Sequence, residues 1–264
     1  ANGVEMPRIG YGVFRMKEHD VAYNGVTEAL KAGYRAIDTA AIYQNEEAVG
    51  LAIKDSGIPR EEIFVTTKVW NSDQGFDNTL RAFETSLGKL GLEYVDLYLT
   101  HWPKPTLAET YKAIERLYEE KLIRVPGVSN HHQHHLEEVF AVANVKPMVN
   151  QFECHPSLSQ DSLRAFCAQH NIAVTAWAPL GTGIVFTHPV VKKLAEKYGK
   201  TVAQIILRWH LEIGNIAIPK SVTPERIKEN LDVFDFSLET DEVAAITALN
   251  TFHRTASDPD NFDF

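Results

Sequence analysis

The 264-residue chain has only two cysteines, Cys154 and Cys167. Two thiols cannot build the disulfide framework of a small secreted scaffold, and they read as free residues of a reducing cytoplasm, although position alone leaves a bridge between them open. The sequence also has no run of about eighteen apolar residues, the length a membrane helix needs. Its opening, ANGVEMPRIG, lacks the basic patch and apolar stretch of a signal peptide. The first residue is Ala and not Met, so a few preceding residues are expected to be missing. No basic cluster occurs. With 26 Lys and Arg against 35 Asp and Glu the formal net charge is -9, which argues against a nucleic-acid or anionic-membrane surface and leaves only local anion sites. No internal repeat, low-complexity tract or Pro/Gly/Ser linker divides the chain, so one domain over 1–264 is expected.

What the chain does have is alternation. Short apolar runs rich in β-branched and aromatic residues fall at Arg8–Gly12, Tyr34–Asp38, Ile63–Thr67, Val95–Leu99, Ile123–Val128, Pro147–Gln151, Ile172–Ala176 and Asn215–Pro219. Between them lie stretches of helical period at Val21–Lys31, Phe76–Leu90, Leu107–Glu120, His135–Ala143, Ser159–His170 and Thr223–Val233, with Pro189–Tyr198 and Thr201–Ile213 before the last run. Alternating β and α without consecutive hairpins implies parallel strands with right-handed crossovers, and eight of them at this length predict an α/β fold of the (β/α)8 TIM-barrel type. An open doubly wound sheet is the alternative. It would carry a G-x-G-x-x-G turn if it bound a dinucleotide, and neither Gly10-Tyr11-Gly12 nor Gly181-Thr182-Gly183 completes one.

A barrel of this kind keeps its active site at the C-terminal ends of the strands. Immediately after the eight runs stand Phe14; Asp38 and Tyr43; Lys68 and Trp70; His101 and Trp102; Ser129 and Asn130; Gln151; Trp177; Lys220 and Ser221. Any one of them taken alone is better explained as an ordinary polar strand end. Together, Asp, Tyr, Lys and His would share one mouth, where a lysine beside a tyrosine lowers the phenol pKa and prepares a proton donor.

Seven ordered blocks resemble the aldo-keto reductase family along essentially the whole chain. They are GYRAIDTAAIYQNEEAVG (Gly33–Gly50), TTKVW (Thr66–Trp70), LTHWP (Leu99–Pro103), GVSN (Gly127–Asn130), NQFECHP (Asn150–Pro156), AWAPLG around Trp177, and IPKSVTPERIKEN (Ile218–Asn230). The bacterial subgroup similar to 2,5-diketo-D-gluconate reductase and to glyoxal and methylglyoxal reductases is the nearest in pattern. The resemblance implies reduction of aldehydes and ketones to alcohols by hydride transfer from NADPH. It implies Tyr43 as general acid, Lys68 and Asp38 as the pair that tunes it, and His101 orienting the carbonyl. Ser129, Asn130 and Gln151 would hold the nicotinamide carboxamide, and Trp177 would stack on the ring. Lys220, Ser221 and Arg226 would surround the adenosine 2′-phosphate, with Glu229 and Asn230 near the adenine and Gly12, Leu180 and Val222 also lining the cofactor. Phe14, Trp70 and Trp102 would wall the substrate. The expected partner is a small carbonyl compound, with no nucleic acid and no membrane, and a monomer is expected.

Three departures stand out from the family's pattern: Ala178 where a serine is common, Pro126 inside the fifth run, and His131 where a phenylalanine is common. His131, His132, His134 and His135 have spacings that could place imidazoles on one helix face, as a metal site would. No Cys, Asp or further His accompanies them at a ligand spacing, and no functional metal is expected. His155, His170, His188, His210 and His253 read as structural or surface residues, and Cys154 has no evident partner to lower its pKa. Two other function classes compete. A cofactor-binding sensor would not need the proton donor, and a metal-dependent barrel hydrolase would need more His and Asp at strand ends than His101 and Asp38.

Overall fold

A computed structural model describes residues 2–264. Eight strands, β1 (Tyr11–Gly12), β2 (Ala36–Asp38), β3 (Phe64–Val69), β4 (Val95–Thr100), β5 (Ile123–Ser129), β6 (Val149–Glu153), β7 (Ala173–Trp177) and β8 (Ile216–Ala217), pair in chain order, and every pairing is parallel. The seam between first and last is closed by backbone bonds from Gly10 N to Ala217 O (2.9 Å) and from Ala217 N to Arg8 O (3.0 Å). The (β/α)8 barrel is therefore complete. β1 and β8 are shorter than the runs Arg8–Gly12 and Asn215–Pro219 suggested, although the seam bonds, with a third from Gly12 N to Pro219 O, reach along both runs. Gly12 lies so near the other side of the seam that a Cβ would sit 3.1 Å from Ile218 O.

Ten helices surround the strands: α1 (His19–Ala32), α2 (Glu46–Asp55), α3 (Phe76–Leu90), α4 (Leu107–Glu119), α5 (Gln133–Val142), α6 (Asp161–Gln169), α7 (Pro189–Tyr198), α8 (Val202–Glu212), α9 (Pro224–Leu231) and α10 (Thr240–Thr247). Neither α2 nor α10 is among the helices expected from periodicity. α2 carries a glycine midway, which weakens a helical pattern in sequence. The reason for that glycine is tertiary: a Cβ on Gly50 would meet the carbonyl oxygen of Leu90, at the end of α3, at 2.0 Å.

Alternation along the strands sorts the side chains into two layers. One face packs a large apolar shell against the helices, including Ile37, Val65, Tyr98, Val128 and Phe152. The other face fills the barrel. Its lower part is a separate cluster of Ala36, Phe64, Leu97, Leu99, Val125 and Val149. Two or four residues further on, the same face presents Asp38, Lys68, His101, Ser129 and Gln151 at the mouth. Packing in this column is tight: a Cβ on Gly127 would lie 2.7 Å from the Leu99 side chain and 2.9 Å from Val149 O. Pro126 does not interrupt β5. Its carbonyl accepts from Met148 N at 2.9 Å, and the donor it lacks would face the same side, where β6 has not yet begun.

After α10 the chain returns across the mouth. Thr255 donates from both N and Oγ1 to Glu153 Oε1 at 2.6 Å, and Phe262 and Phe264 pack on Trp102 with ring centroids 5.0 and 5.2 Å away. No helix of the described residues is long and apolar enough to cross a membrane.

Candidate active site

β2 and β3 bring Asp38 and Lys68 together. Lys68 is fully buried and donates to Asp38 Oδ1 at 2.6 Å and to Thr39 O at 2.9 Å. Burial pulls its pKa down, while Asp38 and, more weakly, Glu46 hold it up. Tyr43 ends the 3-10 turn after β2, its ring 5.1 Å from Lys68 Nζ, 5.0 Å from the Phe14 ring and 5.7 Å from that of His101. Its hydroxyl has no intramolecular hydrogen bond among the described residues.

The expected lowering of the Tyr43 pKa by Lys68 is not what this arrangement produces. Burial and the Asp38 charge push the phenol well above its ordinary value. The physical reason is that the Lys68 charge is already engaged by Asp38 at contact distance and does not offset the cost of ionising a partly buried phenol beside that carboxylate. His101, at the end of β4, is buried, and burial together with the Lys68 charge holds its imidazole well below 6.5. It is neutral at physiological pH, and its buried Nδ1 has no partner.

A hydrogen-bonded chain runs on around the mouth. Gln151 Nε2 donates to Asp38 Oδ2 at 2.6 Å, and Ser129 Oγ donates to Gln151 O at 2.8 Å. Asn130 Nδ2 donates to His101 O at 2.9 Å and to Ser129 Oγ at 3.2 Å, while its Oδ1 accepts from Trp177 Nε1 at 2.8 Å. Asn130 and Ala178 both adopt positive φ, 63° and 47°, a conformation asparagine tolerates and alanine does not favour. Of the ten strand-end positions on β2 to β7 named in sequence, seven (Asp38, Lys68, His101, Ser129, Asn130, Gln151 and Trp177) meet in one network, and Tyr43 and Trp70 border it through the His101 ring.

Trp70 is half-buried at the mouth, and Phe14 is 53% exposed at its rim. Trp102 is less exposed than either. It is buried under Phe262 and Phe264, and Phe264 stacks on Trp70 at 5.8 Å. These two tail aromatics are site residues that the sequence reading missed. Their only signal was the spacing of aromatics in the terminal NFDF, which carries no direction in space.

The second half of the mouth is built by the β8–α9 connection. Ile227 N–H is the first in α9 to find a helical acceptor, Thr223 O, so the N–H groups of Glu225 and Arg226 are open. Arg226 is exposed and forms no ion pair among the described residues, and Lys220 is exposed nearby in sequence. Ser221 Oγ accepts from Thr223 N at 3.1 Å, and its carbonyl accepts from Tyr11 Oη at 2.6 Å. Val222 is exposed, Leu180 half-buried and Asn230 buried. Glu229 is held by the Thr201 hydroxyl at 2.6 Å, and Gly12 donates from N to Pro219 O at 3.1 Å. An unpaired cation above an open helix N-terminus is an anion site by its donor chemistry.

A barrel with a buried lysine–aspartate pair, a free tyrosine hydroxyl, a neutral histidine and an adjoining anion site has the parts of a reductase that pairs a proton donor with a phosphate-bearing cofactor. Residues 8–251 match the aldo/keto reductase family, and the chain belongs to that family. It is an oxidoreductase that uses NADPH to reduce carbonyl compounds.

Among curated relatives, the 9,11-endoperoxide prostaglandin H2 reductase of Trypanosoma cruzi (strain CL Brener) is 52% identical over 265 residues, covering 99% of this chain and 94% of its own. The glyoxal reductase of Bacillus subtilis (strain 168) is 51% identical over 264 residues, covering 100% and 96%. Among solved structures, MGS-M4, an aldo-keto reductase from a Medee basin deep-sea metagenome library, superposes with a TM-score of 0.98 at 50% identity, covering 100% of this chain and 98% of that one. A mutant of Gox0644 in complex with NADPH superposes with a TM-score of 0.93 at 44% identity, covering 98% and 95%.

Proposed function

We propose that the chain reduces small aldehydes and α-dicarbonyl compounds, with Tyr43 Oη giving its proton to the carbonyl oxygen. The observation that carries this reading is the free Tyr43 hydroxyl set among His101, Phe14 and the buried Lys68–Asp38 pair. NADPH, when bound, supplies the hydride.

The donor set of this chain fits that cofactor. Ser129, Asn130 and Gln151 would hold the nicotinamide carboxamide, and Trp177, tied by its N–H to Asn130 but only partly buried, would stack on the ring. Lys220, Ser221 and Arg226 with the open N-terminus of α9 would take the 2′-phosphate, while Gly12, Leu180, Val222, Glu229 and Asn230 would line the remainder. Neutral His101 orients the carbonyl oxygen through its accessible Nε2. When Tyr43 gives up its proton, the phenolate left behind lies beside the Lys68 ammonium, which Asp38 holds in place. The raised pKa of the phenol makes the return of a proton to Tyr43 favourable and completes the cycle.

Small, flat substrates are favoured by the aromatic walls of Phe14, Trp70 and Phe264 and by the 51% identity to a glyoxal reductase. The 264 residues are read as one barrel domain acting as a monomer in the cytoplasm. Loss of NADPH absorbance with a panel of glyoxal, methylglyoxal, short aldehydes, keto esters and steroid ketones tests the substrate class. Fastest turnover is expected with the α-dicarbonyls. Turnover of steroid ketones alone would remove the proposal.

A further inference from the structure

The histidine run that reads as an isolated cluster in sequence acquires a carboxylate in the fold. His131 leaves the cluster: it is buried, with its Nδ1 on Ser129 O at 2.8 Å. His132, which precedes α5, and His134 and His135 in its first turn converge instead on Asp260 of the C-terminal tail. His132 Nδ1 lies 2.8 Å from Asp260 Oδ2, His134 Nε2 lies 3.0 Å from Oδ1, and His135 Nε2 lies 3.5 Å from Oδ1. All four ligand atoms lie within 4.8 Å of one another.

We propose that these residues form a site for one borderline transition-metal dication, with zinc as its probe, which fastens the tail to the barrel. In a tetrahedral site with bonds of about 2.0–2.1 Å, neighbouring ligand atoms stand about 3.3 Å apart. The two separations to Oδ1 and the one to Oδ2 already bracket that spacing, and with one oxygen as ligand the widest pair, at up to 4.8 Å, must close by roughly 1.5 Å. Three imidazoles and one carboxylate select zinc, nickel or copper over magnesium or calcium, which prefer all-oxygen shells. The side chains of His134 and Asp260 are 55% and 49% exposed, so an ion can reach the site from solvent.

Two contacts oppose the ion. Arg254 Nη2 lies 3.1 Å from His132 Nε2, and the His132 backbone N–H donates to His135 Nδ1 at 3.2 Å. Both far-side nitrogens therefore act as acceptors, and the imidazole protons lie on the side of Asp260. A metal takes the place of those protons, which move to the far nitrogens and turn both contacts away. The positive end of α5 is a third opposing term. Each is of the size of a single hydrogen bond or a fringe charge effect, whereas a full set of imidazole and carboxylate bonds to a dication is far larger. The Arg254 charge is itself matched by Asp258 at 2.8 Å.

The consequence reaches the active site. Phe262 and Phe264, which follow Asp260 closely, are the rings packed on Trp102 and stacked on Trp70. A bound ion holds that aromatic wall in place.

The test uses the full chain without affinity-tag histidines, stripped with a chelator and titrated with zinc by calorimetry. One equivalent should bind with micromolar or tighter affinity, and both Asp260→Ala and His134→Ala should weaken it by about tenfold or more. Cobalt should give the intense visible bands of a four-coordinate site. Tryptic cleavage after Arg254 should slow by about tenfold with one equivalent of zinc in the parent chain and not in Asp260→Ala. Affinity only in the millimolar range, binding that Asp260→Ala leaves within about threefold of the parent, or cleavage after Arg254 indifferent to zinc would each overturn the proposal.

Discussion

Gln151 and Asp38 lie 113 residues apart in sequence, and the Gln151 side-chain amide donates to Asp38 Oδ2 at 2.6 Å across the barrel mouth. The carboxylate that holds Lys68 is thus itself anchored by a residue of the cofactor-facing set. Gln151→Leu should therefore lower kcat as well as NADPH affinity, each by roughly tenfold, because it leaves one buried carboxylate oxygen without a donor. Steady-state rates and fluorescence titration of NADPH measure the two effects separately. A change in affinity with unchanged kcat would mean that the bond to Asp38 has no part in the chemistry.

The tyrosine assignment has a direct variant and a pH signature. Tyr43→Phe removes one hydroxyl, and turnover should fall by about a hundredfold to ten-thousandfold while NADPH still binds. Because burial and Asp38 raise the phenol pKa, the proton stays on Tyr43 through neutral and mildly alkaline pH in the unliganded protein. Reduction, which needs that proton, should hold its rate at lower pH, and alcohol oxidation, which needs the phenolate, should rise with pH. His101 is already neutral, since its pKa is pushed down from 6.5. A step centred near 6.5 in the reduction profile would show that the imidazole titrates after all.

Cofactor choice rests on Arg226. An arginine in the first turn of a helix is mildly unfavourable unless an anion offsets it, and none of the neighbouring acids pairs with it. A charge-assisted contact to phosphate is worth about 1.5 to 3 kcal/mol. Arg226→Ala should then weaken NADPH binding by roughly tenfold to a hundredfold and leave NADH almost unchanged. Titrating both cofactors against both proteins by fluorescence quenching decides it, and an equal loss for the two would mean that Arg226 does not read the phosphate.

Neither thiol is poised for reaction. Both cysteines are buried, and burial pushes Cys154 up to about 12 and Cys167 up to about 11. At pH 8 neither should be alkylated by iodoacetamide in the native protein, and both should be after denaturation. Mass spectrometry of the treated chain checks this, and rapid native labelling of Cys154 would show that the end of β6 opens to solvent.

Local pattern carried the architecture and the ends of the strands. The alternation of apolar runs with helical period is a property of neighbouring residues, and so is the side-chain period of two. Hence the barrel, and the placing of Asp38, Lys68, His101, Ser129 and Gln151 at its mouth, could be read before any coordinates. α2 escaped because Gly50 looks like a helix breaker until Leu90 is seen against it. The lengths of β1 and β8 escaped because a seam is defined by two distant strands at once.

Tertiary structure alone decided three matters. It turned the Tyr43 pKa upward, since a pKa sums burial and every nearby charge and the Lys68 charge was already taken by Asp38. It laid Phe262 and Phe264 against Trp102, adding tail aromatics to a wall that sequence had assigned to Phe14, Trp70 and Trp102 alone. It gave His132, His134 and His135, at the start of α5, the carboxylate of Asp260, 125 or more residues away in the chain, by laying the tail across the mouth. Periodicity constrains which face a residue occupies, but it holds no information about which distant segment will come to rest against that face.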